Sequence, residues 1–565
     1  MTTNRYCFIQ KIGVFIAMLC ALSSAYAYDF EVGGLGYAIT SHVDLTCEVR
    51  ELVDTCLEEV VIPEKVIFRN KEIKVCSIGD GTFRNSSIRT IKIPSSINSM
   101  SSSVFENCRN LITVDFQANS SLSMIPYRAF AGCTSLTNVN LPMGVSEIGS
   151  YAFEGCENLS FINLSNLSSI GEKAFYKCSA LENISLSENR CYIGMYAFCA
   201  TGLKNINIPS GCKLTLCMGA FRNCRALEEI NLPTRTKFEW GVGSDGFTFS
   251  NCVNLKKVIL SDGITDLPEC IFSGCSNLKY VSLPDSLQSI QAGAFGSTAI
   301  DNISIPLTVR YLGEGAFSDC KNLHEISLPG TIRMSLYCEA YKSYNYGKKE
   351  YYDTSFTLRD CPIEKLRILS GDSITFSYYD LDKNYTRLLA YPQKYLPNTI
   401  KHLYIDMPKF VGGSSNYTTY ADGSRSPWYH EYESISLSFP TLNVLEIGPH
   451  MQNISCLKWN FPELQQLISR ASTPPKLPSM SNKEYLNLEV IVPTEYLEVY
   501  KNAPVWQNFW NLRGDDTSGI KDVNISPSSR HITAKIGING FPVDESYRGI
   551  VIIRYSDGTT KKVVQ

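Results

Sequence analysis

The stretch that decides the fold runs from Tyr151 to Leu186 and reads YAFEGCENLSFINLSNLSSIGEKAFYKCSALENISL. The apolar positions of its first half return in its second half: Ala152, Phe153, Cys156, Leu159, Ile162 and Leu164 are matched by Ala174, Phe175, Cys178, Leu181, Ile184 and Leu186. A unit of about 22 residues cannot bury its own apolar face, so it must pack against copies of itself. The stretch therefore predicts a solenoid of stacked coils.

Eleven phenylalanines mark successive units at a nearly constant spacing, with extra residues before Phe130 and Phe249: Phe83, Phe105, Phe130, Phe153, Phe175, Phe198, Phe221, Phe249, Phe272, Phe295 and Phe317. Each unit then runs Leu, two residues, Ile or Val, one residue, Leu, and often Pro, as in Leu227, Ile230, Leu232 and Pro233. Two apolar residues one apart predict a short strand with one side facing the core. Proline ends the strand because it cannot donate to a continuing ladder.

An Ile-Gly pair often precedes the phenylalanine, as at Ile148-Gly149, Ile170-Gly171 and Ile193-Gly194. Glycine reaches positive φ without steric cost. We expect these glycines to supply the positive φ of a coil corner.

Cysteine recurs three residues after the phenylalanine, at Cys108, Cys133, Cys156, Cys178, Cys224, Cys252, Cys275 and Cys320, with Ser86, Thr201 or Thr298 in the other units. Stacking places these side chains in one line about 4.8 Å apart. A position that accepts Cys, Thr or Ser favours a small hydrogen-bonding side chain that bonds a neighbouring coil's backbone. Parallel Cβ directions disfavour disulfides, and the absence of any CxxC pair disfavours zinc. Cys47 and Cys56 flank a predicted turn, where a disulfide is the alternative to two free thiols.

The repeated pattern AFxxCxxLxxIxLP with IGxxAF, behind an apparent signal sequence, resembles the BspA-type leucine-rich repeats of bacterial surface proteins. The segments DFEVGGLGYAITS, TPPKL and VIVPTEYLEVYKNAPVWQNFWNL also resemble the way such arrays begin and end. The resemblance implies a right-handed leucine-rich repeat solenoid of the α/β repeat class, dominated by β-strands, with a β-rich amino-terminal cap. It also implies a secreted or surface-displayed protein used in adhesion or protein binding.

Five segments are predicted along the chain: 1–27 a signal peptide, 28–82 the cap and first coil, 83–370 the repeats, 371–514 divergent repeats with Tyr-rich insertions and a carboxy-terminal cap, and 515–565 a small β domain. The signal peptide is inferred from Arg5 and Lys11, the apolar run after them, and Ala25-Tyr26-Ala27. Lipid attachment at Cys20 is the alternative. No later stretch reaches the ~18 to 20 apolar residues that a membrane span needs.

Near the carboxy terminus, Thr494 is expected to cap a short helix through Lys501, with Trp506, Phe509 and Trp510 covering the last coil. The final residues, RGIVIIRYSDGTTKKVVQ, predict a hairpin that turns at Asp557-Gly558. This module resembles the sorting domains of the type IX secretion pathway, but Ile550 stands where that family has Tyr after glycine. A purely structural β module is the alternative.

The sequence predicts no enzyme, no cofactor and no metal. A net charge of -3 gives no basic excess for nucleic acid. Gly241, Gly243 and Gly246 spell GxGxxG, but in a loop rather than between a strand and a helix. The run Asp380, Asp382 and Asn384 lacks the glycine of a calcium loop. The histidines are scattered in the sequence, and His430-Glu431 lacks a second histidine, so no charge-relay or metal set is predicted.

The candidate binding face is the set of outward positions on the repeat strands: Asn140, Phe161, Asn163, Ser185, Asn207, Glu229, Asn231, Lys257, Tyr280, Ser282, Ser304 and Glu325. Like charges stacked at strand spacing repel, so a mainly neutral column is also a structural requirement. Aromatic residues of the Tyr-rich loops are candidate contacts: Tyr344, Tyr346, Tyr417, Tyr420, Trp428 and Tyr429. We expect a monomer that binds an extracellular protein. The alternatives are a polysaccharide, bound by the aromatic loops, and a structural spacer without a ligand.

Overall fold

The computed structural model describes residues 28–239, 246–330, 333–335, 358, 361–369, 374–375, 385–387, 397–407, 410–411, 435–455, 457–515, 532–537, 550–555 and 560–564. Several features discussed from the sequence lie outside these residues: the predicted signal peptide, the candidate contacts of the Tyr-rich loops, Gly241 and Gly243, and the run Asp380, Asp382 and Asn384. Within them the chain forms a strand-rich solenoid of stacked coils, as the repeats predict.

The amino-terminal cap is a mixed sheet formed by strands β1 (Phe30–Val32), β2 (Leu35–Ser41), β3 (Thr46–Leu52), β5 (Lys65–Phe68), β6 (Lys71–Ile78) and β8 (Ser99–Met100). Strands β1, β2 and β3 pair antiparallel, and β3 then pairs parallel with β6. Tyr37, Cys47 and Val75 are fully buried, so the cap closes the first coil with an apolar core. Cys47 is free and buried and Cys56 is free and exposed, so the disulfide alternative is wrong.

The first face of the solenoid carries the strands that the Leu-x-x-Ile-x-Leu pattern predicts. They are β4 (Glu59–Val61), β7 (Thr90–Ile93), β9 (Thr113–Phe116), β11 (Asn138–Val139), β13 (Phe161–Ile162), β15 (Asn183–Ser185), β17 (Asn205–Asn207), β19 (Glu229–Leu232), β21 (Lys257–Leu260), β23 (Tyr280–Ser282), β25 (Asn302–Ser304), β27 (Glu325–Pro329), β29 (Lys365–Leu369), β32 (His402–Asp406), β35 (Val444–Ile447), β37 (Gln466–Ser469), β38 (Glu489–Val492) and β39 (Asn511–Gly514). They pair in parallel, one coil apart, in four successive sheets, the last of eight strands.

The second face carries a further strand from most coils. Its strands are β10 (Met124–Ile125), β12 (Glu147–Ile148), β14 (Ser169–Ile170), β16 (Arg190–Ile193), β18 (Lys213–Cys217), β20 (Lys237–Glu239), β22 (Asp266–Leu267), β24 (Ser289–Ile290), β26 (Tyr311–Leu312), β28 (Arg333–Ser335) and β31 (Tyr385–Arg387). All of these pair in parallel except β28 with β31. Two shorter pairs follow: β30 (Ile374–Thr375) with β33 (Phe410–Val411), and β34 (Ile435–Ser438) with β36 (Leu457–Asn460).

The third face consists of the turns around the eleven phenylalanines, and it carries its own ladder between coils. The amide of Phe153 donates to the carbonyl of Ala174 at 2.7 Å, and the amide of Gly155 to that of Tyr176 at 2.8 Å. In every unit the residues two before and two after the phenylalanine have positive φ, and most of them are not glycine. The coil therefore bends at both sides of each phenylalanine.

The predicted role of the Ile-Gly glycines is wrong. Gly149, Gly171 and Gly194 do not have positive φ. A Cβ on Gly171 would instead lie 2.5 Å from the amide nitrogen of Ser150, a backbone atom of the preceding coil. Glycine is required there because successive coils approach too closely for any side chain.

The core is a stack of phenylalanine rings beside a line of thiols. Neighbouring rings from Phe83 to Phe317 lie 5.0 to 5.6 Å apart between centroids and tilt by no more than 18°. The Cys178 thiol donates to the carbonyl of Phe153 at 3.1 Å, and Cys361 continues the line by donating to Phe317 at 2.9 Å. Burial raises the pKa of the Cys178 thiol, which keeps it protonated as a donor. The prediction of buried free thiols bonded to a neighbouring coil is confirmed.

Two short helices close the carboxy-terminal end of the array, α1 (Asn482–Asn487) and α2 (Leu497–Lys501), with 3-10 turns at Thr494–Tyr496 and Trp506–Asn508. Thr494 does not cap α2, because its hydroxyl donates to the carbonyl of Asp515 at 2.9 Å. Trp506 and Phe509 are buried as expected, but Trp510 is 80% exposed and does not cover the coil.

The final segment forms an antiparallel sheet of β40 (Ile532–Gly537), β41 (Ile550–Tyr555) and β42 (Thr560–Val564). The antiparallel pairing of β41 with β42 confirms the predicted hairpin, while its predicted turn at Asp557-Gly558 lies outside the described residues.

Candidate functional site

The outward positions of the first face form two parallel columns, because strands one coil apart pair in register. Asn183 lies opposite Asn205, and Ser185 lies opposite Asn207. One strand further on, Glu229 lies opposite Lys257, and Lys257 lies opposite Tyr280. The twelve predicted face residues are therefore brought onto one side of the solenoid. All are exposed or half-buried, while Ser327, the last residue of the central column before the insertion, is buried.

Amide and hydroxyl groups of neighbouring coils bond along the face. The Asn205 amide donates to the Asn183 amide oxygen at 2.9 Å, and the Asn207 amide to the Ser185 hydroxyl at 3.4 Å. Asn163 accepts from both the backbone and the hydroxyl of Ser165, which fixes its orientation. These amide and hydroxyl groups have further donors and acceptors, so a ligand can add hydrogen bonds to those between the coils.

Charges on the first face occur as opposite pairs that join adjacent coils. Lys204 meets Glu182 at 2.7 Å, and Lys256 meets Glu228 at 2.9 Å. The predicted face residues Lys257 and Glu229 lie 3.7 Å apart, and Lys365 meets Glu325 at 3.1 Å. Such exposed pairs contribute only ~0 to 1 kcal/mol, but they leave the face nearly neutral along its length.

Phe161 is an exposed aromatic residue of the face. Its side chain is 56% exposed. A phenylalanine ring that stays in water contributes no free energy of burial to folding. Its strand partner is Asn138, and Asn163 lies two residues away on the same side of the strand. An apolar ring beside amides is a contact that a protein ligand can use.

The histidines, scattered in sequence, converge in part on the first face of the last coils. His402 Nε2 lies 2.9 Å from a carboxylate oxygen of Glu446, and Arg470 donates to the other oxygen at 2.9 Å. On the same sheet, His450 Nδ1 lies 3.0 Å from Asp406. The sequence prediction missed this cluster because each residue comes from a different coil. One sequence signal for this cluster was available: aligning FPTLNVLEI with FPELQQLIS places Glu446 at an outward position of a strand.

Electrostatics hold this cluster together. Hydrogen bonding from His402, followed by Arg470, lowers the pKa of Glu446 to about 2. Desolvation, followed by the charge of Asp406, raises the pKa of Tyr404 to about 12, while the Arg367 guanidinium stacks 4.5 Å from the Tyr404 ring centre. Both histidine contacts are to carboxylates already held by other partners: Arg470 donates to Glu446, and the Tyr404 hydroxyl donates to Asp406 at 3.4 Å. The cluster is a structural ion network.

The described part of the chain contains neither a cluster of metal-binding side chains nor a helix suited to span a membrane. No group of three or more His, Cys, Asp or Glu side chains there is arranged to hold a metal ion. None of the helices described is long and apolar enough to cross a membrane.

The family model of the BspA type leucine-rich repeat region matches residues 53–167, 146–239 and 245–349 in six copies, just over half of the chain. The chain belongs to the BspA-type leucine-rich repeat family. The matched ranges cover every coil from Phe83 to Phe317. A comparison with curated proteins gave no match.

Solved structures of similar leucine-rich repeat proteins include one from Bacteroides ovatus ATCC 8483, 19% identical, covering 86% of this chain and 99% of that chain with a TM-score of 0.36. The pneumococcal vaccine antigen PcpA is 18% identical and covers 68% of this chain and 98% of its own, with a TM-score of 0.42. A leucine-rich cell surface protein from Faecalibacterium prausnitzii A2-165 is 17% identical and covers 62% of this chain and 96% of its own, with a TM-score of 0.34. At this level of similarity nothing about a ligand transfers to the BspA-type chain.

Proposed function

We propose that this BspA-type protein is a secreted or surface-displayed, non-enzymatic recognition protein that binds an extracellular protein through the outward columns of its first face. The observation that carries the proposal is the exposed ribbon of amides and hydroxyls around Phe161, which runs over consecutive coils. Membership of the BspA-type family and the likeness to a cell surface protein and a vaccine antigen support a surface location.

We also propose the organisation of the chain that the sequence predicts. Residues 1–27 are a signal peptide that is removed, and the module at 515–565 follows the array as a separate β domain. The protein acts as a monomer, because a repeat array buries its core along one axis and needs no partner to do so.

The test is a binding screen of the chain from Tyr28 to Gln565 against immobilised extracellular proteins and neutral polysaccharides. The triple variant Asn163→Ala, Asn207→Ala and Tyr280→Ala removes groups from the face. The matched control is Asn254→Ala, Asn277→Ala and Tyr127→Ala, which removes the same side-chain types from exposed turns outside the first face. Circular dichroism and thermal unfolding establish that both variants fold.

We expect saturable binding to a protein, weakened at least tenfold by the face variant and little changed by the control. Binding to neutral polysaccharides alone would replace the proposal with recognition by the aromatic loops. No binding to either class would overturn it in favour of a structural spacer.

A further inference from the structure

A polar cleft of about 760 Å³ lies on the second face, at the level of β16, β18 and β20. Four cations line it: Arg190, Lys213, Arg235 and Lys237. All four are exposed, and they come from three successive coils. The cleft therefore gathers positive charge on a chain whose net charge is -3.

The cleft exists because the repeat is altered at this point. Strands β16 and β18 are four and five residues long, whereas β10, β12 and β14 have two residues each. The added residues are the ones that bring charge to the second face: Arg190 begins β16, Lys213 begins β18, and the two pair in register.

Two cations directly opposite each other on adjacent strands repel, and such pairs destabilise a sheet. On the first face the equivalent positions carry opposite charges, as in Lys257 with Glu229. The four cations of the cleft form no ion pair with any carboxylate among the described residues, although Glu188 and Glu239 also line the cleft. An anionic ligand would remove this repulsion.

The rest of the lining indicates what kind of anion fits. Among the described residues, every side chain that lines the cleft is charged, hydroxylic or amide, including Thr215, Thr234 and Asn189, and none is aromatic or aliphatic. Protein ligands are held mainly by buried Trp, Tyr and Arg anchors, whereas the arginines of this cleft are exposed, and drug-like ligands are held by apolar pockets. A hydrophilic chain with repeated negative groups and free hydroxyls matches the lining best.

We propose that the second face binds an anionic polysaccharide, with Arg190, Lys213 and Lys237 pairing with its sulfate or carboxylate groups and Thr234 and Asn189 with its hydroxyls. Arg190 and Lys213 lie opposite each other on adjacent strands about 4.8 Å apart, and Lys237 lies one coil further on, diagonal to Lys213 because its register partner is Thr215. A chain that crosses the strands at a slant therefore meets the three cations one after another. The site is separate from the first face and does not depend on the function proposed there.

The experiment measures binding of the chain from Tyr28 to Gln565 to heparin, to hyaluronan, to dextran and to polyglutamate. Heparin carries sulfates, hyaluronan only carboxylates, dextran no charge, and polyglutamate carries charge on a peptide. The test variant is Arg190→Gln, Lys213→Gln and Lys237→Gln. The matched control, Lys204→Gln, Lys256→Gln and Lys401→Gln, removes the same charge from exposed lysines that are already paired with glutamates.

We expect heparin or hyaluronan to bind, dextran not to bind, and the test variant to weaken binding at least tenfold while the control changes it less than twofold. Binding of hyaluronan would show that carboxylates suffice, whereas binding of heparin alone would show that sulfates are needed, because heparin carries carboxylates as well as sulfates. Binding should weaken steeply with salt, since exposed charges are screened over about 8 Å at 0.15 M and about 3 Å at 1 M.

Three results would overturn the proposal. One is the absence of binding to both anionic polysaccharides, and a second is equal weakening by the test and control variants. The third is tighter binding of polyglutamate than of either polysaccharide, which would assign the cleft to an acidic protein segment. Because all three substituted positions are exposed and the substitutions remove the repulsion between Arg190 and Lys213, the thermal unfolding midpoint of the test variant should not fall below that of the wild type. Loss of binding then reports the cleft itself.

Discussion

The regular coils from Phe83 to Pro329 and the last coils from Cys361 to Asp515 share one strand register but present different surfaces. In the regular coils the central outward column is mostly Asn and Ser, and the charges of the first face form isolated pairs. In the last coils the same column carries Arg367, Tyr404 and Glu446, joined into a network.

The inward positions differ much less. Inward residues of the last coils are as buried as those of the regular ones, Leu366, Leu403 and Leu445 against Ile184 and Ile230. Close packing therefore limits which residues fit at the inward positions, while outward side chains in solvent are not limited in this way and differ between the two regions. Function in such an array is carried by outward positions, and stability by inward positions.

The largest expected effect is on the phenylalanine stack. Phe153→Ala removes a ring stacked on both neighbours at 5.1 and 5.2 Å. Its loss should cost about 3 to 5 kcal/mol. Phe439→Ala, in the last coils, removes a ring whose stacked neighbour Phe461 is 6.2 Å away, and should cost less. Urea unfolding followed by circular dichroism compares the two. Equal losses would mean that the two regions are equally packed.

The close approach of coils gives the next effect. Gly171→Ala places a Cβ within 2.5 Å of backbone. The resulting strain should cost about 2 kcal/mol. Gly155→Ala is the matched control, because Gly155 has a positive φ but no atom nearer than 4.0 Å to the added Cβ. A left-handed alanine there should cost ~1 kcal/mol. The opposite order of denaturation midpoints would contradict the requirement for glycine at the close approach of coils at Gly171.

The thiol line should show a preference for a donor. Cys178→Thr replaces the thiol with another hydrogen-bond donor, of the kind that Thr201 supplies in the next coil, where its hydroxyl donates to the carbonyl of Phe198 at 2.9 Å. Cys178→Val has the same shape as the Thr variant without a donor. Val leaves the buried carbonyl of Phe153 without its side-chain partner. The Val variant should therefore be about 1 kcal/mol less stable than the Thr variant in urea unfolding. A more stable Val variant would show that the position selects size alone.

The ion network of the last coils predicts that their stability depends on pH. The pKa of Glu446 is lowered to about 2, so its carboxylate stabilises the folded state above its ordinary pKa near 4.5, and that contribution is lost as pH falls toward 2. Glu446→Gln should cost about 1 to 2 kcal/mol at pH 7, since partial exposure screens the pairs, and nothing near pH 2. Thermal unfolding at pH 7, 4 and 2.5 measures the difference. A cost independent of pH would exclude the ion network as its origin.

The repeat period predicted the stacked coils and the positions of their phenylalanines, cysteines and first-face strands. These positions are predictable because the same packing contacts recur in every coil. Sequence could not give the bends at both sides of each phenylalanine, since residues as different as Tyr151, Lys173 and Ala200 adopt positive φ there. It also missed the basic cleft and the ion network. Both depend on which coils lie side by side, and the individual residues carry no motif.

Hydroxyl-radical footprinting, with and without the partner found by the binding screen, shows whether outward residues of the first face carry recognition. Phe161 and Tyr280 report the first face, while Tyr127 and Met143, which are 44% and 89% exposed, report turns elsewhere. If the first face is the binding surface, the partner lowers oxidation of Phe161 and Tyr280 several-fold and leaves Tyr127 and Met143 unchanged. Protection of Tyr127 and Met143 with continued oxidation of Phe161 is incompatible with recognition through the first face.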